Sequence, residues 1–390
     1  MIRRLILVGA AASLAISQKI PTDAEAAKKL LQVFGLKEPK LHGHLLPPQY
    51  MLELYNHTAT QEGFMKTANP YNANLIRSFV DKVRRRPKHP LKPYHVPTAT
   101  ALRFFFNVTK ADPREELLQA QFHIYKLKPK GRKFRGLLEV RAYQVLPGST
   151  PNTEEGNRLL DVRRVSYDSL GWEVFYVKPA VEDWLKDEAL NLGMFLTVRT
   201  QKGRRLPDQQ FRFARKQIGQ SGPNNASKQP VLVVFSNDGR PPQTNTTYPP
   251  GDSSSASDRT KRSLPSSASG AQYEVFNANH SHDETLSCAR YDLYVDFQKI
   301  GWSSWIISPE GYQAYHCKGA CSFPLGQNQW PTNHATVQSI VNELSLTPGV
   351  GKPCCVPNKL YSISLLYYDD NENVILKQYD DMVAASCGCH

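Results

Sequence analysis

The first 287 residues of this 390-residue chain contain no cysteine. Disulfides, thiolate metal centres and cysteine nucleophiles are therefore excluded from most of the sequence. Long apolar runs are equally scarce. The one such run, residues 5–16, is about a dozen residues, and a bilayer span needs about 20. No nucleophile–base motif or phosphate-cradling glycine loop occurs. His42 and His44 form a lone pair and His316 adjoins Cys317, without recognised metal-ligand spacing. The sequence supports no catalytic residue, no metal ligand and no cofactor, and it predicts no membrane span and no enzyme.

What is present begins with an export signal. Arg3 and Arg4 precede the apolar run, and Ala15, Ile16 and Ser17 supply small residues before Gln18, so 1–17 reads as a signal peptide rather than a short buried helix. A secreted, extracellular product meets an oxidising compartment, where crowded cysteines become disulfides. The net charge of +13 hides a division. From Ser263 onward, 12 acidic residues face 6 basic ones, a net of −6, while the remainder has 42 basic against 23 acidic, a net of +19. For an exported chain the basic part points to sulfated polysaccharide or to the acidic part itself, not to nucleic acid.

Residues 18–97 read as an arm. A short amphipathic helix is expected over 26–36 and a second over 49–55. Arg84, Arg85 and Arg86 open a basic, proline-punctuated stretch, a solvated linker or a polyanion site. Residues 98–240 read as a mostly β domain, with strands over 102–108, 119–126, 136–145, 172–177, 194–200 and 230–235. A helix is expected over 181–191, with Trp184 and Leu185 toward the sheet. Residues 241–262 form a Pro/Ser/Thr/Gly linker that cannot bury a core. It ends in Arg259, Thr260, Lys261 and Arg262, followed by Ser263. Basic residues at Arg259, Lys261 and Arg262 suit a proprotein convertase, and the unstructured setting admits a protease. Asn56, Asn107, Asn225, Asn245 and Asn279 are glycosylation candidates.

After a tail over 263–287, the cysteines occupy 288–390: Cys288, Cys317, Cys321, Cys354, Cys355, Cys387 and Cys389. Six paired cysteines leave many connectivities open. Cys354 and Cys355 point to opposite faces of an extended chain. Cys387 and Cys389 share one face of a strand and could meet Cys317 and Cys321, closing a ring of eight residues. A bond from Cys288 to one of the adjacent pair could thread that ring, and Gly319 keeps its wall small. An odd exported cysteine suggests an intermolecular bond.

This spacing, the terminal Cys387-Gly388-Cys389-His390, and the residues Gly301-Trp302-Ser303-Ser304-Trp305-Ile306, Thr332-Asn333-His334-Ala335 and Cys354-Cys355-Val356-Pro357 resemble the bone morphogenetic protein branch of the transforming growth factor β superfamily. Upstream, residues 230–240 are similar to the family's propeptides. The resemblance implies an all-β cystine-knot growth-factor fold for the mature part, with two two-stranded fingers and one helix. For the propeptide it implies an α+β fold with an N-terminal helical arm and a mostly antiparallel β domain. It implies the disulfides Cys288–Cys355, Cys317–Cys387 and Cys321–Cys389, with Cys354 bridging to a second copy.

The fingers are expected over 291–316 and 360–386. A helix capped by Thr332 or Asn333 places Val337, Ile340, Val341 and Leu344 on one stripe, facing either a partner protomer or its own chain. By resemblance, type I serine/threonine kinase receptors bind Trp302, Trp305, Phe323, Pro324, Leu325 and Asn333. Type II receptors bind Ser308, Pro309, Ser364, Leu366 and Leu376, and Tyr361 stands where relatives usually have a small residue. The implied partners are a second copy or a related ligand, both receptor types, the chain's own propeptide and a convertase, with extracellular antagonists and heparan sulfate as further candidates. The expected outcome is Smad signalling. An antagonist or structural cystine-knot protein shares the disulfides but needs neither the cleavage site nor the long arm, and a zinc protein is the remote alternative.

Overall fold

The computed structural model describes residues 46–82, 101–108, 114–128, 136–150, 153–204, 206, 211–214, 228–240 and 286–390. All of them belong to one compact unit, Pro39–His390. The expected signal peptide, the helix over 26–36, the basic linker, the convertase site and residues 263–285 of the tail lie outside the described residues.

Helix α1, Gln49–Thr58, buries Met51, Leu54, Tyr55 and Thr58 on one face, as the i, i+3, i+4, i+7 spacing of these residues dictates. Strands β1 (Leu75–Val80), β2 (Ala101–Phe104), β3 (Glu116–Leu127), β4 (Leu137–Gln144), β5 (Arg158–Ser166) and β6 (Gly171–Tyr176) follow. Helix α2 (Lys178–Lys186) precedes β7 (Met194–Thr200), β8 (Arg212–Phe213) and β9 (Val231–Asn237). The helix expected over 181–191 begins earlier because Pro179 suits its first turn. It stops at Lys186, where Asp187 is extended and caps a separate 3-10 turn, Glu188–Leu190. Trp184 is buried, with Leu185 packed beside the same core.

The four-stranded sheet β2-β7-β4-β5 faces the larger sheet across a core containing Phe122, Ile124, Leu138, Val140, Phe175, Trp184 and Leu196. Sequence reasoning misses β1, β5 and the two-residue β8. Three arginines and an aspartate interrupt the apolar pattern of β5, and it is tolerated because β5 pairs through β4 alone in its sheet.

The cysteine-bearing part contributes β10 (Ala289–Tyr291), β11 (Tyr294–Asp296), β12 (Ile306–Ser308), β13 (Gly311–Gln313) and β14 (His316–Lys318). Helix α3 (Asn333–Glu343) then leads to the long hairpin β15 (Cys355–Tyr368) and β16 (Val374–Cys389). At the hairpin turn, the Asp369 carboxylate accepts hydrogen bonds from the Asn371 and Asn373 amides, each at 2.8 Å.

This hairpin is not separate from the N-terminal β domain. The large sheet runs β12-β15-β16-β1-β9-β3-β6, with β8 beside β3. Strand β1 pairs antiparallel with β16 on one edge, from Leu75 opposite Lys377 to Ser78 opposite Val374, and with β9 on the other. The arm thus inserts one strand between β9 of the preceding β domain and β16 of the long hairpin.

Candidate functional site

Cys288 is bonded to Cys355, Cys317 to Cys387 and Cys321 to Cys389, with Cα separations of 5.4, 5.7 and 5.8 Å. The sulfurs of Cys288, Cys321 and Cys389 lie within 4.8 Å of one another. That proximity is the threading of one bond past the others, and thiols already oxidised offer no thiolate to zinc. Gly319 lies in the ring wall at φ +123°. A Cβ there would sit 2.4 Å from the Ser287 carbonyl oxygen and 2.8 Å from the Cys288 nitrogen. Both obstacles are backbone of the threading segment, so no side-chain movement relieves them.

Cys354 is the free and exposed cysteine of the described residues. Its amide donates to the His390 carbonyl at 2.9 Å and its carbonyl accepts from the His390 amide at 3.0 Å. These two bonds extend the β15–β16 ladder by one pair beyond Cys355 opposite Cys389. Helix α3 is capped by Thr332, whose hydroxyl accepts from the Ala335 amide at 3.1 Å. It buries only Ala335 and Ser339. Val337 and Leu344 are 60% and 62% exposed and Ile340 is 38% exposed, so the apolar stripe finds little cover among the described residues.

A two-stranded finger has little core of its own, yet Trp302 and Trp305 are both buried. The rings supply the core themselves. Trp302 stacks on Phe297, touches Trp305 at a centroid distance of 5.5 Å, and Trp305 meets Tyr367 edge-on. The pairing of β12 with β15 and the Tyr368 amide's bond to the Trp305 carbonyl at 3.0 Å fold the first finger onto the second. Phe323, Pro324 and Asn333 are exposed and Leu325 half-buried, on the loop and first turn leading into α3.

Pro309, Ser364, Leu366 and Leu376 are buried and Ser308 half-buried, and what covers this face is the N-terminal arm with strand β9. Leu366, Tyr368, Val374 and Leu376 share one cluster with Met51, Leu54 and Tyr55 of α1, Ile76 of β1, and Val231, Val233 and Phe235 of β9. The segment after α1 seats directly on the hairpin. The Ser364 amide donates to the Gly63 carbonyl at 2.7 Å, and Phe64 bridges to Ile363. Gly63 has φ +83°, and a Cβ would meet the Ser364 oxygen at 2.9 Å and Pro309 Cγ at 3.3 Å. Under this cover the Ser364 hydroxyl has no hydrogen-bond partner among the described residues. Gly63, Phe64 and the buried face of α1 are the site residues that sequence reasoning misses. The signal available was the unusually apolar inner face of α1 on an arm with no core of its own. Tyr361 is half-buried, with the Lys359 ammonium 5.1 Å from its ring centroid.

A polar rim closes the junction. Asp238 accepts from Asn74 at 2.8 Å and from Arg240 Nε at 2.7 Å, with Lys377 Nζ at 3.4 Å. Burial alone would raise the Asp238 carboxyl, but hydrogen bonds from Arg240 and Asn74 and the charges of Arg240 and Lys377 outweigh it, holding it down at about 2. Arg240 also reaches Asp380 at 3.6 Å and the Gln378 carbonyl at 3.1 Å. The contrast of +19 against −6 therefore reduces, among the described residues, to a few ion pairs around an apolar seam. Asn56 is exposed on α1 and Asn107 half-buried beyond β2. Asn225, Asn245, Asn279 and the cleavage residues Arg259, Lys261, Arg262 and Ser263 lie outside the described residues.

Two family models match this chain. Residues 287–389 match the transforming growth factor beta like domain, and residues 19–235 match the TGF-beta propeptide. The chain is 32% identical to bone morphogenetic protein 4 of Gallus gallus over 379 residues, covering 92% of this chain and 85% of the relative. It is 33% identical to bone morphogenetic protein 4 of Oryctolagus cuniculus over 394 residues, covering 96% and 88%. Family and architecture agree on a signalling ligand and not an enzyme. With its knotted hairpin domain and propeptide sheet, the chain belongs to the transforming growth factor β superfamily as a growth-factor precursor of the bone morphogenetic protein branch.

Proposed function

We propose that the chain is exported, cleaved after Arg262 and active as a disulfide-linked dimer that engages type I and type II serine/threonine kinase receptors to trigger Smad signalling. The observation that carries this reading is the exposed, unbonded Cys354 in a domain whose helix also leaves Val337, Ile340 and Leu344 uncovered. A second copy satisfies both: a Cys354–Cys354 bond joins the protomers, and the stripe packs on the partner's fingers. The type I positions then come from both protomers, with Trp302 and Trp305 on one and Phe323, Pro324, Leu325 and Asn333 on the other.

The type II positions Ser308, Pro309, Ser364, Leu366 and Leu376 form an apolar patch with small residues, which suits docking. The propeptide occupies that patch in the precursor, so a type II receptor gains it only as α1 and residues 59–64 leave. A buried hydroxyl without a partner costs about 1–3 kcal/mol, and Ser364 recovers that cost when a receptor replaces the cover.

Non-reducing against reducing gel electrophoresis of the secreted protein tests the dimer. The fragment beginning at Ser263 should halve in mass on reduction, and Cys354→Ser should remove that change. Arg262→Ala should leave the precursor uncut at the linker. A mature dimer that binds its receptors' antagonists or matrix but never raises Smad phosphorylation would support the antagonist or structural alternative.

A further inference from the structure

The face that covers the growth factor also holds a buried histidine to which the proposed function assigns no role. His123 of β3 is 3% exposed. Its ring lies 4.2 Å, centroid to centroid, from Tyr50 at the start of α1. Its Nε2 is 2.9 Å from Gln121 Oε1, and the Gln121 amide donates to the Tyr71 hydroxyl at 2.9 Å. Tyr71 meets Phe235 edge-on at 5.1 Å, and Phe235 belongs to the cluster containing Leu366 and Leu376 of the growth factor. One contiguous chain of contacts therefore runs from the imidazole to the covered hairpin.

The groups facing His123 provide no counter-charge. On its own strand these are Gln121 and the Tyr125 ring, the latter under the Lys228 ammonium at 4.8 Å. Strand β9 offers Val231 and Val233 opposite His123 and Gln121, and β6 offers Val174 and Tyr176. The turn at 70–72 adds the Tyr71 phenol, and α1 adds the Tyr50 phenol. Glu53 is exposed and accepts from Gln49, and His57 is also exposed. A proton added to the ring would thus place a cation among apolar and phenolic groups, beside one ammonium and no carboxylate. Such a site ejects its cation.

We propose that His123 is an acid-sensitive latch: protonation unseats α1 and residues 59–64 from the growth-factor hairpin. Desolvation by burial pushes the imidazole down from 6.5 to about 4. Because the seated value is depressed, the latch is fully closed above the exposed value of 6.5. It weakens as pH falls from 6.5 towards 4. By pH 5 the seated form loses about 30-fold against the open form. Asp238, already held at about 2, keeps its charge throughout that window, so the polar rim does not supply the effect.

The Ser364 amide reports the latch, because its hydrogen bond goes to Gly63 of the covering segment. Amide exchange of the uncleaved full chain, corrected for intrinsic rates, should show opening at Ser364 rising about 30-fold from pH 7.5 to pH 5. His123→Phe and His123→Gln, neither of which titrates, should each hold that rise below about threefold. A wild-type opening that ignores pH overturns the proposal, and so does an undiminished rise in both variants. The uncleaved chain serves for this measurement, so its outcome is independent of whether cleavage and receptor binding occur as proposed.

Discussion

Gly63→Ala isolates how firmly the propeptide grips the growth factor. The substitution adds one methyl group in a position-dependent way. At φ +83° any L side chain is strained, by about 1–2 kcal/mol, but that strain acts on free and bound propeptide alike if the loop keeps its shape. The collision does not cancel: the Cβ would stand 2.9 Å from the Ser364 carbonyl oxygen and 3.3 Å from Pro309 Cγ, both on the growth factor. Relieving it separates the chains and forfeits the 2.7 Å bond from the Ser364 amide to Gly63, about 1 kcal/mol. Loss of close packing around Phe64 brings the total to about 2 kcal/mol, which weakens association about 30-fold. Gly148→Ala is the matched control, with φ +74° and nothing within 4 Å of the added methyl group. Titration of each propeptide variant against immobilised mature protein reads both dissociation constants. If Gly63→Ala shifts affinity no more than Gly148→Ala, the seating of residues 59–64 is not what holds the cover.

Gly319→Ala should abolish the threaded disulfide, because its Cβ meets the backbone of Ser287 and Cys288; peptide mapping under non-reducing conditions should show loss or scrambling of Cys288–Cys355. Thr332→Ala removes the hydroxyl that caps α3 and should cost about 1 kcal/mol, read as a lowered denaturation midpoint, with Thr332→Ser retaining most of it. Asp238 has a depressed pKa, so its stabilisation is complete above about 4, the unfolded value, and is lost as pH falls towards about 2. Asp238→Asn should remove about 2 kcal/mol at neutral pH and flatten that acid limb of a pH–stability profile.

Much of this molecule is legible in one dimension because its determinants are local. The strand at 194–200 appears with its expected bounds, and alternation with β-branched and aromatic residues accounts for β3, β4, β6 and β9 to within a few positions. Cysteine geometry suggested the ring and the role of Gly319, but spacing left the pairing open and only the family resemblance specified it. What stayed hidden depends on partners distant in sequence. Strand β1, with Arg77 in its middle, reads as nothing definite until β9 and β16 bracket it from 157 and 298 positions away. Those separations are the registers of Arg77 with Val234 and with Ile375, which no local pattern encodes. Trp302 and Trp305 likewise look stranded on a thin finger until Phe297 and Tyr367 surround them.

The shared sheet has a consequence for the edge of β16. Departure of β1 would strip the backbone of 374–377 of its neighbour. A bare row of unpaired amides and carbonyls invites any extended chain to add itself there. Here the segment carries Val374, Ile375 and Leu376 with a single charge, Lys377. The propeptide strand is thus an edge guard as well as a cover, occupying a margin that would otherwise be open to another chain.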